Sequence, residues 1–289
     1  MKFKKNSSHI EKIINEVLSS CKNESVWFSI DLMQIFSRLK IKKRSEINDA
    51  LERIFQFLVD YGPNFKNLYV ASFTNDFPKN RYFNSYKTPP YLGSFSKFIF
   101  KKKYQYRSLH PFYSFYNFGL NKDDLTINNY TDSYGSKSVF NFMINNNFKL
   151  ITLGHHYVKS FPVIHHIESL IDVNYREEVF FDGTLTDNSF DYCNKYNYYF
   201  RKTKICDGSG LSWLALKKLE EEGIAKLIIL KNDYSNIYSY KVDIKKCSDL
   251  IVSSHSNKNC LVTFFHHQNF PNKEFVKDSD AQDIYNNLY

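Results

Sequence analysis

The chain has 289 residues, 43% of them apolar, which suits one large domain or two modest ones. Its formal net charge of +9 favours anionic partners, but the lack of zinc-finger, helix-turn-helix and RNP patterns argues against nucleic acid. The five cysteines form no CxxC pair, so we expect free thiols. No apolar run has the roughly 20 residues of a membrane helix, and the basic start lacks the apolar segment of a signal peptide. We therefore expect a cytoplasmic protein without membrane insertion.

Apolar spacing in the first third of the chain predicts helices that alternate with strands. Asp31 follows an apolar strand at the position of a helix N-cap. The predicted elements are a helix over 8–20 capped by Ser8, a strand over 26–30, a helix from Ser45 to Gly62, a strand over 68–74 and a long loop over 75–92.

The same alternation continues through the rest of the chain. The predicted elements are a helix from Ser136 to Met143, a strand over 149–154, a helix from about Pro162, an extended segment over 192–202, a helix over 208–222, and strands over 224–230 and 260–265. Strands that alternate with helices indicate a layered α/β fold, and no linker or internal repeat divides it.

Several common active-site motifs are missing from the sequence. There is no GxGxxG after a strand and no GxxxxGK[ST], which argues against the usual dinucleotide and P-loop sites. GxSxG and HExxH are also absent, so neither a nucleophile elbow nor a zincin site is indicated.

Four of the nine histidines lie between 155 and 166, as two adjacent pairs. His165 and Glu168 are three positions apart, so on a helix they share a face and can form a carboxylate-oriented general base. Spacing alone still favours a buried histidine beside a surface glutamate. A metal site is the weaker alternative, because acidic or cysteine ligands at zinc spacing are missing.

A third candidate site lies in RSLHPFYSFYNFG, residues 107–119, where a group of polar residues precedes a segment interpreted as a helix that ends at the glycine. Arg107, Ser108, His110 and Ser114 lie within eight residues of one another, and such groups at a helix start can bind a phosphate or a carbonyl. A simple capped helix explains the pattern equally well.

Seven stretches occur in this order: LYVASFT (68–74), KTPPYLGSFSKFI (87–99), YRSLHPFYSFYNFG (106–119), YGSKSVFNFM (134–143), KLITLG (149–154), IHHIES (164–169) and YR (175–176). Together they resemble the aminoglycoside 3-N-acetyltransferase family, a coenzyme A-dependent family unrelated to the GNAT fold. The Arg-Ser-x-His-Pro-x-x-Ser block followed by IHHIE, which is similar to the family's Leu-His-x-x-Glu signature, is the specific part of the resemblance. It covers a little over half of the chain.

The resemblance implies a single α/β/α sandwich around a mixed central sheet, which we expect over 1–270, followed by a polar, partly disordered tail at 271–289. It implies acetyl transfer from acetyl-CoA, with His165 as the catalytic base and Glu168 as its partner. The coenzyme A site implied by the family positions consists of Asp31, Thr88, Gly93, Arg107, Ser108, His110 and Ser114. Asp31 departs from the family, which commonly has a hydroxyl residue at this position.

The acceptor follows less directly from the sequence. An aminoglycoside is a polycation, whereas the chain is basic and has no acidic cluster near the matching motifs. We therefore expect a nucleotide-linked amino sugar destined for a surface polysaccharide, attacked directly with His165 as general base and without a metal. The alternatives are an aminoglycoside acceptor, an inactive coenzyme A-binding protein and a histidine-based metal hydrolase. A homodimer stays open.

Overall fold

Strands and helices alternate along the computed structural model, which describes residues 3–122, 131–187, 190–202, 206, 208–231, 235–256 and 262–265. The helices in these ranges are α1 Phe3–Leu18, α2 Leu32–Arg38, α3 Arg44–Tyr61, α4 Phe77–Asn80, α5 Ser94–Lys101, α6 Val139–Asn145, α7 Val163–Leu170, α8 Trp213–Glu221 and α9 Ile244–Ser256. The strands are β1 Ser25–Ile30, β2 Asn67–Ala71, β3 Tyr82–Asn84, β4 Phe115–Asn117, β5 Lys149–Leu153, β6 Arg176–Thr186, β7 Asp191–Arg201, β8 Gly208–Leu211, β9 Ala225–Lys231, β10 Asn236–Asp243 and β11 Val262–Phe265.

A mixed six-stranded sheet forms the centre of the fold, in the order β4-β2-β1-β5-β10-β9. Strand β1 pairs in parallel with both β2 and β5. The outer strands β4, β10 and β9 pair antiparallel to their neighbours. The carboxyl ends of the three parallel strands therefore meet at one edge of the sheet.

Helices cover both faces of this sheet, because side chains of a strand alternate between the faces. In β1, Val26 and Phe28 pack with α1, α2, α3 and α5, whereas Trp27 packs with α6, α7, α8 and α9 on the other face. The predicted α/β/α sandwich around a mixed sheet is thus confirmed. A second sheet, in the order β3-β6-β7, adds its buried side chains to the core around Trp27.

Most predicted elements are present, and five predictions are wrong in part. Helix α1 begins before Ser8, and α6 is capped by Ser138, whose hydroxyl accepts from the backbone N–H of Asn141, rather than by Ser136. The predicted loop 75–92 contains α4 and β3. The segment at 107–119 contains β4 in place of a helix, and the predicted helix 208–222 begins with strand β8.

The expected tail at 271–289 lies outside the described residues, and the domain boundary at 270 stays a prediction. In the described part of the chain, each helix is too short or too polar to cross a membrane.

Candidate active site

A cavity of about 1010 Å³ lies at the sheet edge where β1, β2 and β5 end. The residues that follow β1, the last residue of β2 and the loop after β5 line one side of it, and β7 of the second sheet lines the other. Open α/β sheets bind ligands outside the carboxyl ends of their parallel strands. The volume matches the upper end of the small-molecule site range, roughly 300–1,000 Å³.

His165 and Glu168 lie one turn apart on α7, as the spacing predicted. Nδ1 of His165 is 2.8 Å from Oε2 of Glu168. The imidazole lines the cavity with 24% of its side chain exposed, whereas Glu168 is fully buried. Nη2 of Arg176 also lies 2.7 Å from Nδ1, but the charged carboxylate is the stronger partner for this ring nitrogen. Because a carboxylate only accepts hydrogen bonds, Nδ1 carries the proton, and Nε2 of the neutral ring is left as the basic atom.

Arg176 and Tyr175 complete this group from the start of β6. Nε of Arg176 is 2.5 Å from Oε2 of Glu168, and the hydroxyl of Tyr175 donates to Oε1 at 3.0 Å. The guanidinium also donates to the carbonyl of Tyr199 at 3.1 Å and to the hydroxyl of Ser209 at 2.9 Å. The buried carboxylate is thus paired with a buried cation, which makes its burial tolerable.

The pKa values of the pair suit a base and its counter-charge. Burial lowers the pKa of His165 below its ordinary value, and the hydrogen bond and charge of Glu168 only partly oppose this. Burial by itself raises the pKa of Glu168, but the hydrogen bond and charge of His165 and the charge of Arg176 outweigh it and hold the pKa low. At neutral pH the site therefore holds a neutral imidazole beside a carboxylate.

A second histidine lines the same cavity. Nδ1 of His155 lies 3.3 Å from the carbonyl oxygen of Leu153, so its Nε2 can accept the hydroxyl of Ser160, which is 2.9 Å away. Ser29, near the end of β1, donates to Ser160 at 2.9 Å. His155 was not among the site residues predicted from the sequence, and no local motif links it to the two serines.

The residues around Arg107 form a buried hydrogen-bond network instead of lining the cavity. Arg107 donates to the carbonyl oxygens of Ser72 at 2.9 Å, Ser85 at 3.2 Å and Thr88 at 2.5 Å. It also donates to the hydroxyl of Ser114, 3.2 Å away. With its donors used inside the protein and only 2% of it exposed, Arg107 holds the loop after β2 in place.

Ser108 and His110 belong to the same hydrogen-bond network. The hydroxyl of Ser108 accepts from the backbone N–H of Phe115 at 2.9 Å. Nδ1 of His110 accepts from the N–H groups of Phe112 at 3.2 Å and Tyr113 at 2.8 Å, and burial lowers the pKa of His110 to about 3. The structure therefore places these side chains, with those of Ser114 and Thr88, away from the cavity lining.

Two of the predicted coenzyme A residues do line the cavity. Asp31 caps α2, with its carboxylate 3.0 Å from the N–H of Gln34. Gly93 precedes α5 with φ +83°, a conformation that favours glycine, and a Cβ there would lie 3.1 Å from the hydroxyl oxygen of Ser96.

The remaining histidines of the cluster lie apart from this centre. His166 is fully buried, with Nδ1 against the carbonyl of Tyr134, and His156 stacks on Tyr157. His266 and His267 lie outside the described residues. Within the described ranges, no three His, Cys, Asp or Glu side chains are grouped so that they could hold a metal ion.

Known proteins share this architecture. Residues 69–202 match the family model described as aminoglycoside 3-N-acetyltransferase. The solved structure of AAC-VIa with sisomicin has a TM-score of 0.62 at 12% identity and covers 87% of this chain and 98% of its own. The structure of AAC-IIIb with CoASH has a TM-score of 0.60 at 13% identity and covers 86% of this chain and 96% of its own. The YokD protein from Bacillus subtilis has a TM-score of 0.59 at 17% identity and covers 86% of this chain and 98% of its own. No curated protein sequence matches the chain.

Proposed function

Because residues 69–202 belong to the aminoglycoside 3-N-acetyltransferase family, we propose that the protein transfers an acetyl group from acetyl-CoA to a primary amine of an amino sugar. The observation that carries the proposal is the His165–Glu168–Arg176 group at the cavity wall. It combines a neutral imidazole with a buried carboxylate that fixes its tautomer.

His165 has the properties of the general base that this transfer needs. A sugar amine is largely protonated at neutral pH and attacks only as its neutral form, whose formation releases one proton to solvent. As the nitrogen bonds to the acyl carbon, Nε2 of His165 can take the second proton that the amine must lose. Glu168 stabilises the imidazolium that results, and the same proton can then pass to the departing sulfur. Acetyl-CoA, when bound, supplies the acetyl group activated as a thioester.

The cavity has residues that fit coenzyme A. Lys159 and Arg201 line it and offer cations for phosphates, while Ser29, His155 and Ser160 offer polar contacts close to the strand ends. We propose that Asp31 and Gly93 form part of the wall beside the coenzyme. The other five predicted residues (Thr88, Arg107, Ser108, His110 and Ser114) would act by holding the loop that leads to Gly93.

An aminoglycoside is the first candidate acceptor. AAC-VIa was solved with sisomicin and an AAC(3)-IVa variant with apramycin, and the present fold spans most of both proteins. The second candidate is the anionic, nucleotide-linked amino sugar expected from the sequence. It is favoured by Lys159 and Arg201, because among the described lining residues Asp31 is the single Asp or Glu.

The test is thiol release from acetyl-CoA with two acceptor panels, one of aminoglycosides and one of nucleotide-linked amino sugars. His165→Ala should lower kcat by about 10²- to 10⁴-fold while coenzyme A binding persists. His156→Ala is the matched control, because that imidazole stacks on Tyr157 outside the cavity lining. Near-normal turnover by His165→Ala would overturn the mechanism, and turnover confined to one panel would identify the acceptor class.

A further inference from the structure

Three tyrosines from separate parts of the chain meet on one wall of the cavity. Tyr113 precedes β4, Tyr134 precedes α6 and Tyr198 lies on β7, and all three line the cavity. The ring of Tyr134 stands edge-on to the imidazole of His165, with the centroids 5.5 Å apart. Tyr134 thus borders the proposed base, and the rings of Tyr113 and Tyr198 lie next to Tyr134, with centroids 4.9 and 6.2 Å away.

The hydroxyls of these tyrosines form a chain of hydrogen bonds. Tyr134 donates to the hydroxyl of Tyr113, which lies 2.9 Å from that of Tyr198. If Tyr198 donated to Tyr113, the proton of Tyr113 would have no acceptor among the described residues, although Tyr113 is only 8% exposed. Leaving a buried donor unpaired costs about 1–3 kcal/mol. The favoured direction is therefore Tyr134 to Tyr113 to Tyr198, which leaves the O–H of Tyr198 to donate into the cavity.

On the basis of the proposed acetyl transfer, we propose that the Tyr198 hydroxyl donates a hydrogen bond to the carbonyl oxygen of the acyl group as negative charge develops on it. Acyl transfer needs such a donor, fixed before the reaction begins. A phenol hydroxyl that already accepts a hydrogen bond is polarised toward donation. None of the residues in the sequence motifs supplies this group, since Tyr198 comes from the second sheet.

Packing fixes the donor in position. The ring of Tyr198 lies 4.7 Å from that of Phe112 and 4.6 Å from that of Phe200, centroid to centroid. It stacks at 15° to the ring of Tyr113. Because aromatic neighbours hold the ring on several sides, the hydroxyl needs little reorganisation when charge develops.

Tyr198→Phe tests the proposal, because it removes the hydroxyl and keeps the ring. We expect kcat to fall by about 10²- to 10³-fold, with the KM for the amine acceptor nearly unchanged, since the bond strengthens only in the transition state. Tyr113→Phe should lower kcat less, because it only breaks the chain of hydrogen bonds that leads to Tyr198. Tyr196→Phe is the matched control, because Tyr196 lies on the same strand outside the cavity lining and its hydroxyl is 3.5 Å from a backbone carbonyl.

A spectroscopic measurement tests the contact without turnover. The infrared stretch of the acyl carbonyl in a bound, non-transferable ketone analogue of acetyl-CoA should move to higher frequency in Tyr198→Phe and stay unchanged in Tyr196→Phe. An unchanged frequency and kcat in Tyr198→Phe would overturn the assignment, as would a raised acceptor KM at constant kcat. A Tyr198-dependent shift in a wild-type protein that acetylates no amine would support the contact while the proposed function fails.

Discussion

Replacing Glu168 with glutamine tests the buried charge group most directly. The change keeps the size of the side chain and removes its charge, so the guanidinium of Arg176 loses the carboxylate that lies 2.5 Å from its Nε. Both side chains are almost inaccessible, at 0% and 7% exposed. Breaking a buried ion pair from one side costs about 3–5 kcal/mol, because the remaining charge stays buried.

We expect a loss near the low end of that range, about 3 kcal/mol, because the amide oxygen can still accept from Tyr175 and Arg176. At about 2–4 °C per kcal/mol for a chain of this size, Tm should fall by about 6–12 °C. Calorimetry at neutral pH measures it. As pH falls through the low pKa of Glu168, wild-type stability should decrease and approach that of the variant, because the carboxylate is protonated.

Catalysis should change with a defined sign. Without the carboxylate, the imidazolium of His165 loses its hydrogen bond and counter-charge, so the pKa of His165 falls further below its ordinary value. The acid limb of the pH profile of kcat/KM should move to lower pH, while kcat falls by about 10²-fold or more because the ring is less well oriented and the imidazolium less stable.

Asp243→Asn is the matched control for stability, because the Lys149–Asp243 pair spans 2.5 Å but leaves 18% and 19% of its side chains exposed. It should cost less than Glu168→Gln. Adding Arg176→Gln to Glu168→Gln should restore part of the lost stability without restoring kcat. An unchanged Tm and an unchanged pH profile in Glu168→Gln would refute the reasoning.

Three further predictions concern other residues of the site. Arg107→Lys should lower the free energy of unfolding by about 2–3 kcal/mol in denaturant titrations, because one ammonium cannot reach the separate carbonyls that the guanidinium joins. The pKa of His110 is about 6.5 in the unfolded state and about 3 in the folded state, so only the unfolded state takes up a proton between these values. The free energy of unfolding should therefore fall by up to about 1.4 kcal/mol for each unit by which the pH decreases from about 6.5 to about 3. His110→Gln should remove this contribution. Ser160→Ala should weaken coenzyme A binding about fivefold in calorimetry, equivalent to about one hydrogen bond of 1 kcal/mol, with little change in kcat.

Each of these has an outcome that contradicts it. Equal unfolding free energies for Arg107→Lys and wild type would show that the Arg107 hydrogen-bond network does not stabilise the fold. An acid-stability slope that persists in His110→Gln would assign the proton uptake to other groups. A large fall in kcat with unchanged coenzyme A affinity in Ser160→Ala would make that serine part of the chemistry.

The sequence by itself determined the features that depend on neighbouring residues. The apolar run over 26–30 predicted the strand that became β1, and Asp31 was identified as a helix cap. The pairing of His165 with Glu168 was predicted because residues three apart on a helix share a face. Strand β10 and helix α9 were not predicted, although they complete the sheet and cover it.

Only the tertiary structure decided which distant groups meet at the cavity. Arg176 follows Glu168 by eight positions, but Ser209, which positions its guanidinium, comes from another strand. The conspicuous Arg107 motif forms a buried support, whereas Tyr198, on a strand with no motif, lines the same cavity as His165. Local periodicity records which side of an element is buried. It does not record which buried sides pack together, because that depends on sheet order and on closing long loops.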